Sequence, residues 1–270
     1  MPPARALLYA ATVAVLVMTG RALIGHPPPL AVAAISCALY LLLILAGVLS
    51  LRLRMFVDAI VCGPEGARGY ALTFDDGPDP TSTPRVLDAL DAVNAKATFF
   101  VIARKAEAHP GLVKQILARG HAVGLHSYAH DRLFSLRSTK RVQADLERGI
   151  AVLEAITGER PTLFRPPIGH TTPPIARVAE DLELDVVGWS VSAHDGLRGA
   201  SAERVIARVS SRLRDGAIVL LHDASERGTH APVAADAIAR IVEAGREARM
   251  DVVELARWLD SDSGRPIGSS

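Results

Sequence analysis

The sequence has little cysteine and little net charge, and each scarcity excludes a class of protein. Two cysteines, Cys37 and Cys62, among 270 residues are too few for a disulfide scaffold or a four-thiolate zinc site. Thirty basic and 29 acidic residues leave a net charge of +1, which argues against binding nucleic acid by bulk charge. With 49% hydrophobic residues and a mean hydropathy of +0.24, the chain is too apolar to be intrinsically disordered.

Acidic residues are missing altogether from the first 57 positions. The charged side chains of this head are four arginines, Arg5, Arg21, Arg52 and Arg54. All 29 acidic residues lie after position 57, together with 26 of the 30 basic ones, so the rest of the chain carries a charge of −3. The sequence therefore divides into an apolar, slightly basic head and a mildly acidic body.

The head, residues 1–57, reads as a membrane anchor. From Leu30 to Leu51 there are 22 residues without a charge, and about 20 such residues cross the hydrocarbon core of a bilayer as a helix. This predicts a transmembrane helix over about 30–51. The earlier apolar stretch predicts either a second transmembrane helix, over about 6–25, or the apolar region of a signal peptide. We favour two helices joined by the short connection His26–Pro29.

The distribution of arginine bears on which side of the membrane the body lies. In a hairpin of two helices both ends face one side, and that side carries Arg5, Arg52 and Arg54. The positive-inside rule then places the body in the cytoplasm. With one span, or with a cleaved first segment, the arginine count does not assign a side. The sequence therefore predicts an integral membrane protein and leaves open on which side of the membrane the body lies.

Strand and helix patterns alternate through the body after a glycine-rich linker at residues 58–69. Short apolar stretches alternate with stretches of helical spacing. The strands are predicted at Tyr70–Phe74, Ala97–Ile102, His121–Leu125, near Leu163, Asp185–Trp189, Ala217–Leu221 and Asp251–Leu255. Repeated βα units imply an α/β fold with a parallel sheet covered by helices, either open or closed into a barrel. In both, functional side chains gather at the carboxyl ends of the strands.

Polar residues follow five of the predicted strands. The first strand ends in Asp75 and Asp76, whose adjacent side chains point apart, so that one could bind a metal while the other takes a proton. The third leads into His126 and His130, which would share a face on a helical turn and could chelate one ion. The other residues are Arg165, Asp195 and His222. A plain turn or a solvated surface explains any one of them, whereas a metal site with an acid–base pair explains them together.

These motifs resemble those of the polysaccharide deacetylase family, carbohydrate esterase family 4. The resemblance rests on TFDDGP at 73–78, HSxxH at 126–130, RPP at 165–167, the segment 189–195, and LLH at 220–222. It implies a distorted (β/α) barrel with fewer than eight repeats as the catalytic domain, residues 70–260, followed by a flexible tail, 261–270. The N-terminal transmembrane helices would precede it. It also implies hydrolytic removal of N-linked acetyl groups from amino sugars with a divalent metal, most often Zn²⁺.

The resemblance assigns the central roles by position. It makes Asp76, His126 and His130 the metal ligands, leaving coordination positions for water and the substrate carbonyl. It makes Asp75 the general base that deprotonates the attacking water. It makes His222 the general acid that protonates the leaving amine.

The remaining roles are carried over in the same way. The resemblance implies that Arg165 orients the general base and that Asp195 holds Arg165. It implies that the backbone N–H of Ile168 helps to stabilise the oxyanion, and that Trp189 and Leu220 line the acetyl pocket and the sugar face.

Three positions depart from the family pattern. Leu125 stands where the family often has asparagine, Ile168 where an aromatic residue is usual, and Gly196 where tryptophan is common. None of these changes removes a proposed ligand or acid–base group. They do remove aromatic surface that would stack on sugars, which argues against a long polymeric substrate and favours a smaller or lipid-linked sugar.

The leading hypothesis is therefore a membrane-tethered, metal-dependent de-N-acetylase of amino sugars in a cell-envelope glycan. The alternative is removal of an acetyl or formyl group from a lipid-linked amino sugar at the membrane surface. A catalytically silent glycan-binding module is disfavoured by the complete set of ligands and acid–base residues. The resemblance favours an extracytoplasmic body, against the arginine count. No nucleic-acid partner is expected, and no protein partner can be inferred.

Overall fold

The computed structural model describes residues 1–226 and 230–259. Two N-terminal helices, α1 (Pro3–Leu23) and α2 (Leu30–Leu49), precede a body in which strands and helices alternate. The strands are β1 (Tyr70–Asp75), β2 (Ala97–Val101), β3 (Ala122–Leu125), β4 (Leu163–Phe164), β5 (Asp185–Val186), β6 (Val191–Ser192) and β7 (Ala217–His222). The body helices are α3 (Ser82–Ala92), α4 (Ala103–Ala108), α5 (Pro110–Ala118), α6 (Thr139–Thr157), α7 (Pro173–Asp181), α8 (Ala202–Ser210) and α9 (Ala234–Glu247).

The seven strands form one parallel sheet in the order β5-β4-β3-β2-β1-β7-β6. The two edge strands, β5 and β6, are consecutive in the chain and are joined only by residues 187–190. Such a connection spans at most about 18 Å, whereas a flat sheet of seven strands is about 29 Å wide. The sheet must therefore curl, and it has the α/β half-barrel architecture that the resemblance implied.

Alternate side chains of the central strands enter two different apolar cores. Leu72 and Phe74 of β1 pack against the covering helices, together with Val219 and Leu221 of β7. Their neighbours in the sequence face the inside of the curl, where Trp258 is also buried. The same alternation continues to the carboxyl ends of β1 and β7, so the side chains of the last residue of each strand face the mouth of the curl.

The chain that precedes β1 lies across the gap between the two edges of the sheet. The backbone N–H of Ile60 donates to the carbonyl of Val186, and the N–H of Gly188 donates to the carbonyl of Ile60. Cys62 forms an antiparallel bridge with Ala217 at the start of β7. The segment predicted as a linker, 58–69, thus contains backbone that is paired with both sides of the half-barrel.

Two predicted strands differ in the structure. Residues 185–189 do not form one strand, because the chain leaves β5 after Val186 and crosses the gap to begin β6 at Val191. The strand predicted at 251–255 is wrong, because Val252 forms only a single bridge, to Tyr70. β7 lies along one side of β1 and β2 along the other from Leu72 onward, which leaves only Tyr70 to pair with this segment. The flexible tail predicted at 261–270 lies outside the described residues.

The N-terminal helices expose their apolar side chains. α1 and α2 are long and apolar enough to cross a membrane by length and composition, and a signal sequence near the N-terminus has the same properties. Thr12 of α1 and Tyr40 of α2 hydrogen-bond through their hydroxyl groups at 2.9 Å, which ties the two helices together. Arg5 donates to both carboxylate oxygens of Asp58 and to the carbonyl of Met55. The start of α1 is therefore held against the body.

Candidate metal and acid–base site

Three buried side chains at the mouth of the half-barrel form a cluster that fits a metal ion. A ligand atom from each of Asp76, His126 and His130 lies within 4.8 Å of the other two. Asp76 Oδ1 is 3.6 Å from His126 Nε2 and 3.3 Å from His130 Nε2, and it is buried without a hydrogen bond. A buried carboxylate oxygen between two imidazole nitrogens is the donor set of a divalent-metal site with open coordination positions.

The backbone of the residue that follows β4 fixes the tautomer of the first histidine. His126 Nδ1 lies 2.7 Å from the carbonyl oxygen of Arg165. Because a carbonyl only accepts hydrogen bonds, Nδ1 carries the proton and the lone pair of Nε2 points toward Asp76. Burial lowers the pKa of His126 to about 3 and that of His130 to about 3, so both rings are neutral, as metal ligands must be.

The two histidines lie on a loop rather than on the predicted helical turn. Ser127 and His130 both have positive φ, 60° and 51°, so no helical turn spans this segment. The carboxylate of Asp145 in α6 instead accepts from the N–H of Tyr128 at 2.8 Å and from that of Ala129 at 3.3 Å. Ser127 Oγ accepts from the N–H of His130. These bonds shape a loop in which both imidazoles converge on one point.

Burial makes the negative charge at the centre of the cluster unfavourable. Desolvation raises the pKa of Asp76 to about 7, with a further rise from the neighbouring Asp75, while the charge of His222 opposes the shift. A bound divalent cation would reverse this balance, because it compensates the carboxylate directly. The charge distribution therefore supports the same conclusion as the geometry.

Asp75 is held apart from the cluster by a buried arginine. Its Oδ1 accepts from Arg165 Nη1 at 2.7 Å, whereas its Oδ2 lies 3.8 Å from His126 Nε2. The fully buried Arg165 also donates to Thr73 Oγ1 and to the carbonyls of Val187 and Gly188. These bonds fix one oxygen of Asp75 and leave the other directed toward the metal site. The predicted contact between Arg165 and Asp75 is thus present.

Asp195 contacts His222, not Arg165 as the resemblance implied. Its Oδ1 accepts from His222 Nδ1 at 2.9 Å, and its Oδ2 accepts from the backbone N–H of His222 at 2.8 Å. Desolvation would lower the pKa of this histidine, but the charge and hydrogen bond of Asp195 prevail and raise it to about 9. The predicted contact is wrong because β6 delivers Asp195 beside the end of β7, away from β4.

Lys105, Asp223 and Thr83 also contribute to the site, although their sequence patterns gave them no role. Lys105 Nζ donates to the carbonyls of Asp76 and Ser225, which joins the loops after β1 and β7. The carboxylate of Asp223 accepts from the N–H of Gly77 and from Thr83 Oγ1. Burial raises the pKa of Asp223 to about 6. One signal was available, since Asp223 directly follows His222 at the end of a strand.

The three residues predicted to contact substrate lie around this mouth. Leu220 is buried on β7, beside Thr73 in the register with β1. Trp189 packs on Gly169, where a Cβ would lie 2.3 Å from the indole ring. Ile168 has a φ of 54° and a side chain that is 46% exposed. The positions suit the predicted roles, and the roles themselves stay predictions.

Comparison with known proteins places this geometry in one family. The family model described as polysaccharide deacetylase matches residues 63–187. The peptidoglycan-N-acetylglucosamine deacetylase PgdA of Listeria monocytogenes is 42% identical over 153 residues, which cover 57% of this chain and 32% of PgdA. This chain therefore spans about a third of the length of that relative.

Two solved structures extend the comparison to the whole body. A peptidoglycan N-acetylglucosamine deacetylase has 31% identity and a TM-score of 0.68, with 73% of this chain and 90% of that chain covered. A protein from Bacillus anthracis described as a CE4 family pseudoenzyme has 25% identity and the same TM-score, with 77% and 71% covered. Because a protein described as a pseudoenzyme shares this fold, the side chains at the mouth must carry any argument for activity.

Proposed function

Since the chain belongs to the polysaccharide deacetylase family, we propose that it is a metal-dependent hydrolase that removes N-acetyl groups from amino sugars. Such an enzyme acts on carbon–nitrogen bonds other than peptide bonds. The observation that carries the proposal is the convergence of five groups at one mouth: Asp75, Asp76, His126, His130 and His222. Each comes from the end of a strand or from the loop that follows it.

The cluster of Asp76, His126 and His130 would hold the metal, and its two imidazoles and one carboxylate suit Zn²⁺. When bound there, the ion polarises the amide carbonyl and lowers the pKa of water. The protein supplies neutral imidazoles with a fixed tautomer, as the bond from His126 to the carbonyl of Arg165 indicates. It also supplies a carboxylate whose charge needs a cation.

Asp75 is placed to act as the general base. Its Oδ2 faces the metal cluster, while Oδ1 is bound by Arg165. The guanidinium keeps the carboxylate oriented, so that Oδ2 takes the proton from the attacking water. The backbone N–H of Ile168 is proposed to donate to the oxygen on which negative charge develops.

His222 is placed to act as the general acid. Asp195 accepts the hydrogen bond from Nδ1, which leaves Nε2–H as the proton that can be given away. An amine is a poor leaving group until its nitrogen is protonated, so cleavage of the carbon–nitrogen bond needs this proton. The pKa of about 9 keeps the imidazole protonated at neutral pH.

The substrate class follows from the relatives, several of which are named for N-acetylglucosamine or N-acetylmuramic acid of peptidoglycan and for chitooligosaccharide. We propose an N-acetylated hexosamine of a cell-envelope glycan, with Trp189 and Leu220 against the sugar and the acetyl methyl. A lipid-linked amino sugar is the second candidate. The observation favouring it is that the last turn of α2 is hydrogen-bonded to the loop after β4, since the N–H of Thr171 donates to the carbonyl of Val48.

α1 and α2 are proposed to anchor the enzyme in a membrane as two transmembrane helices. Arg5, Arg52 and Arg54 favour a cytoplasmic body, whereas the peptidoglycan named for the relatives favours the opposite side. A reporter fused to the C-terminus of the full chain decides between these orientations.

The test is acetate release by the full-length protein, loaded with Zn²⁺, from N-acetylated oligosaccharides. Asp75→Asn should lower the turnover rate by about 10²–10⁴-fold, the usual contribution of a general base, while the bound zinc stays near one per chain. Asp181→Asn removes an exposed carboxylate on α7 and should leave the rate unchanged. Undiminished acetate release by Asp75→Asn would contradict the proposed mechanism.

A further inference from the structure

Large apolar side chains are exposed on three loops at the carboxyl edge of the sheet. They are Leu133 (54% exposed) and Leu136 (76%) after β3, Ile168 (46%) after β4 and Leu197 (63%) after β6. Of the described residues from position 58 onward, the other exposed large apolar side chain is Leu117 of α5, at 36%. We call the four side chains at this edge the apolar rim.

The apolar rim belongs to the same loops as the catalytic groups. Leu133 lies three residues after His130, and Leu197 lies two residues after Asp195. The glycine before Leu197 packs on the ring of His222, since a Cβ there would lie 3.2 Å from Nδ1. Exposed apolar side chains are common as single residues, but these four all lie on loops that carry or adjoin the catalytic groups.

The end of α2 is attached to this same edge of the sheet. The backbone N–H of Thr171, on the loop after β4, donates to the carbonyl of Val48 in the last turn of α2 at 3.1 Å. Arg52 donates to the carbonyl of Ser190 at 2.9 Å. The side chain of Leu51 fills the space that Gly188 leaves open. The proposed membrane helix therefore ends beside the loops that carry the rim.

A small cavity of about 190 Å³ lies at this junction. The end of α2 and the residue after it, Leu49 and Ser50, form one wall, and Gly169 and Trp189 form the other. Trp189 is the residue proposed to contact the sugar. The cavity thus lies between the end of α2 and the residue proposed to contact the sugar.

We propose that the apolar rim inserts into the bilayer interface and that the site takes an N-acylated amino sugar carried at that surface by a lipid. The bilayer is the occupant of the rim because α2, whose apolar stretch is only 6% buried, ends at the same edge and needs the same environment. Insertion would remove the four exposed apolar side chains of the rim from water, which is favourable. The proposal rests on the proposed function and on the proposed anchor, and it names the substrate class of that site.

The position of the rim can be measured without any substrate. In a full chain carrying Cys37→Ser and Cys62→Ser, Leu136→Cys and Leu197→Cys are labelled in turn with an environment-sensitive fluorophore and reconstituted into phosphatidylcholine–phosphatidylglycerol vesicles. The fluorescence emission of both labels should shift to shorter wavelengths and should be quenched by brominated lipid. Leu117→Cys is the matched control and should report water. Labels at 136 and 197 that behave like the label at 117, or a protein that does not bind vesicles, would overturn the proposal.

The substrate class is tested with two substrates of the same protein. Leu136→Glu combined with Leu197→Glu should lower acetate release from a polyprenyl-phosphate-linked N-acetyl amino sugar in vesicles by about tenfold or more. The same variant should hydrolyse a soluble N-acetylated oligosaccharide at the wild-type rate, as should Leu117→Glu on both substrates.

The outcomes separate the two proposals. If neither substrate releases acetate while the labels at the rim report lipid, the proposed function fails and the docking surface stands. If the wild-type protein hydrolyses both substrates equally well and the glutamates change neither rate, the lipid-carried substrate is refuted while the proposed deacetylase function stands.

Discussion

Asp195 raises the pKa of the proposed general acid, His222. In the structure it accepts two hydrogen bonds from His222, one from the ring and one from the backbone. It therefore acts on the proposed acid, whereas Arg165 acts on the proposed base. The proposed base and the proposed acid are thus each held by a different charged residue, Asp75 by Arg165 and His222 by Asp195.

This separation predicts a specific pH profile. His222 must be protonated to give up its proton, so activity should fall as the pH rises through the pKa of this group. Asp195→Asn removes the charge that raises this pKa, and an opposite charge at this range contributes about 1–3 units. The alkaline limb of the pH–rate profile should therefore move down by about 1–3 pH units. Rates measured from pH 5 to 10 check this, and an alkaline limb at the wild-type position would refute the role of Asp195.

Sequence reasoning predicted which residues gather at the mouth, because polar side chains at the ends of parallel strands meet at one edge. It did not predict which residues pair. The partner of Asp195 depends on where β6 joins the sheet, and β6 is only two residues long. Lys105 was missed for a similar reason, because a single lysine on a short helix carries no pattern.

At the scale of elements, the loop between β3 and α6 holds the two histidines in place. Its shape depends on the part-buried carboxylate of Asp145, which accepts hydrogen bonds from the N–H groups of Tyr128 and Ala129. The sequence pattern instead predicted a helical turn, because residues four apart share a face of a helix. Positive φ angles at Ser127 and His130 rule that turn out.

Removal of this carboxylate should loosen the metal site without touching a ligand. Asp145→Ala leaves two part-buried N–H groups without their acceptor, at a combined cost of about 1–3 kcal/mol. We expect a lower melting temperature and a zinc affinity reduced by about tenfold or more, measured against a chromophoric chelator. Glu147→Ala, an exposed change on the same helix, should alter neither quantity. Unchanged zinc affinity in Asp145→Ala would contradict the role of this bond.

The buried residue before β3, His121, is expected to make the stability of the sheet depend on pH. It is 4% exposed, and its Nδ1 accepts from the N–H of Ala97 at the start of β2. Desolvation lowers its pKa to about 4, helped by the charges of Lys96 and Arg119 and opposed by Asp91.

Because the unfolded chain binds this proton more readily than the folded one, stability should fall as the pH drops from 6.5 toward 4. His121→Asn keeps an acceptor and does not titrate, so its melting temperature should fall less steeply in this range when both proteins carry zinc. His109→Asn, an exposed change, should follow the wild type. Equal slopes for wild type and His121→Asn would refute this assignment.

At the scale of the whole molecule, the half-barrel brings together groups that are distant in the sequence. Asp75 and His222 are 147 positions apart in the chain and directly opposite each other in the register of β1 and β7. The alternating pattern predicted a parallel sheet, and the family resemblance predicted its curl. The crossing from β5 to β6 was not predictable, because Asp185 and the apolar residues that follow it up to Trp189 have the pattern of a single strand.

The central claim is that Asp76, His126 and His130 hold a divalent metal on which activity depends, and metal removal and return test it most directly. Acetate release from N-acetylated oligosaccharide by the full-length protein should stop after chelation. Acetate release should return with about one equivalent of Zn²⁺ per chain. The variant His126→Ala should neither bind this zinc nor regain acetate release. The control variant His109→Ala should bind the zinc and regain acetate release. Full acetate release by metal-free wild-type protein would contradict the account.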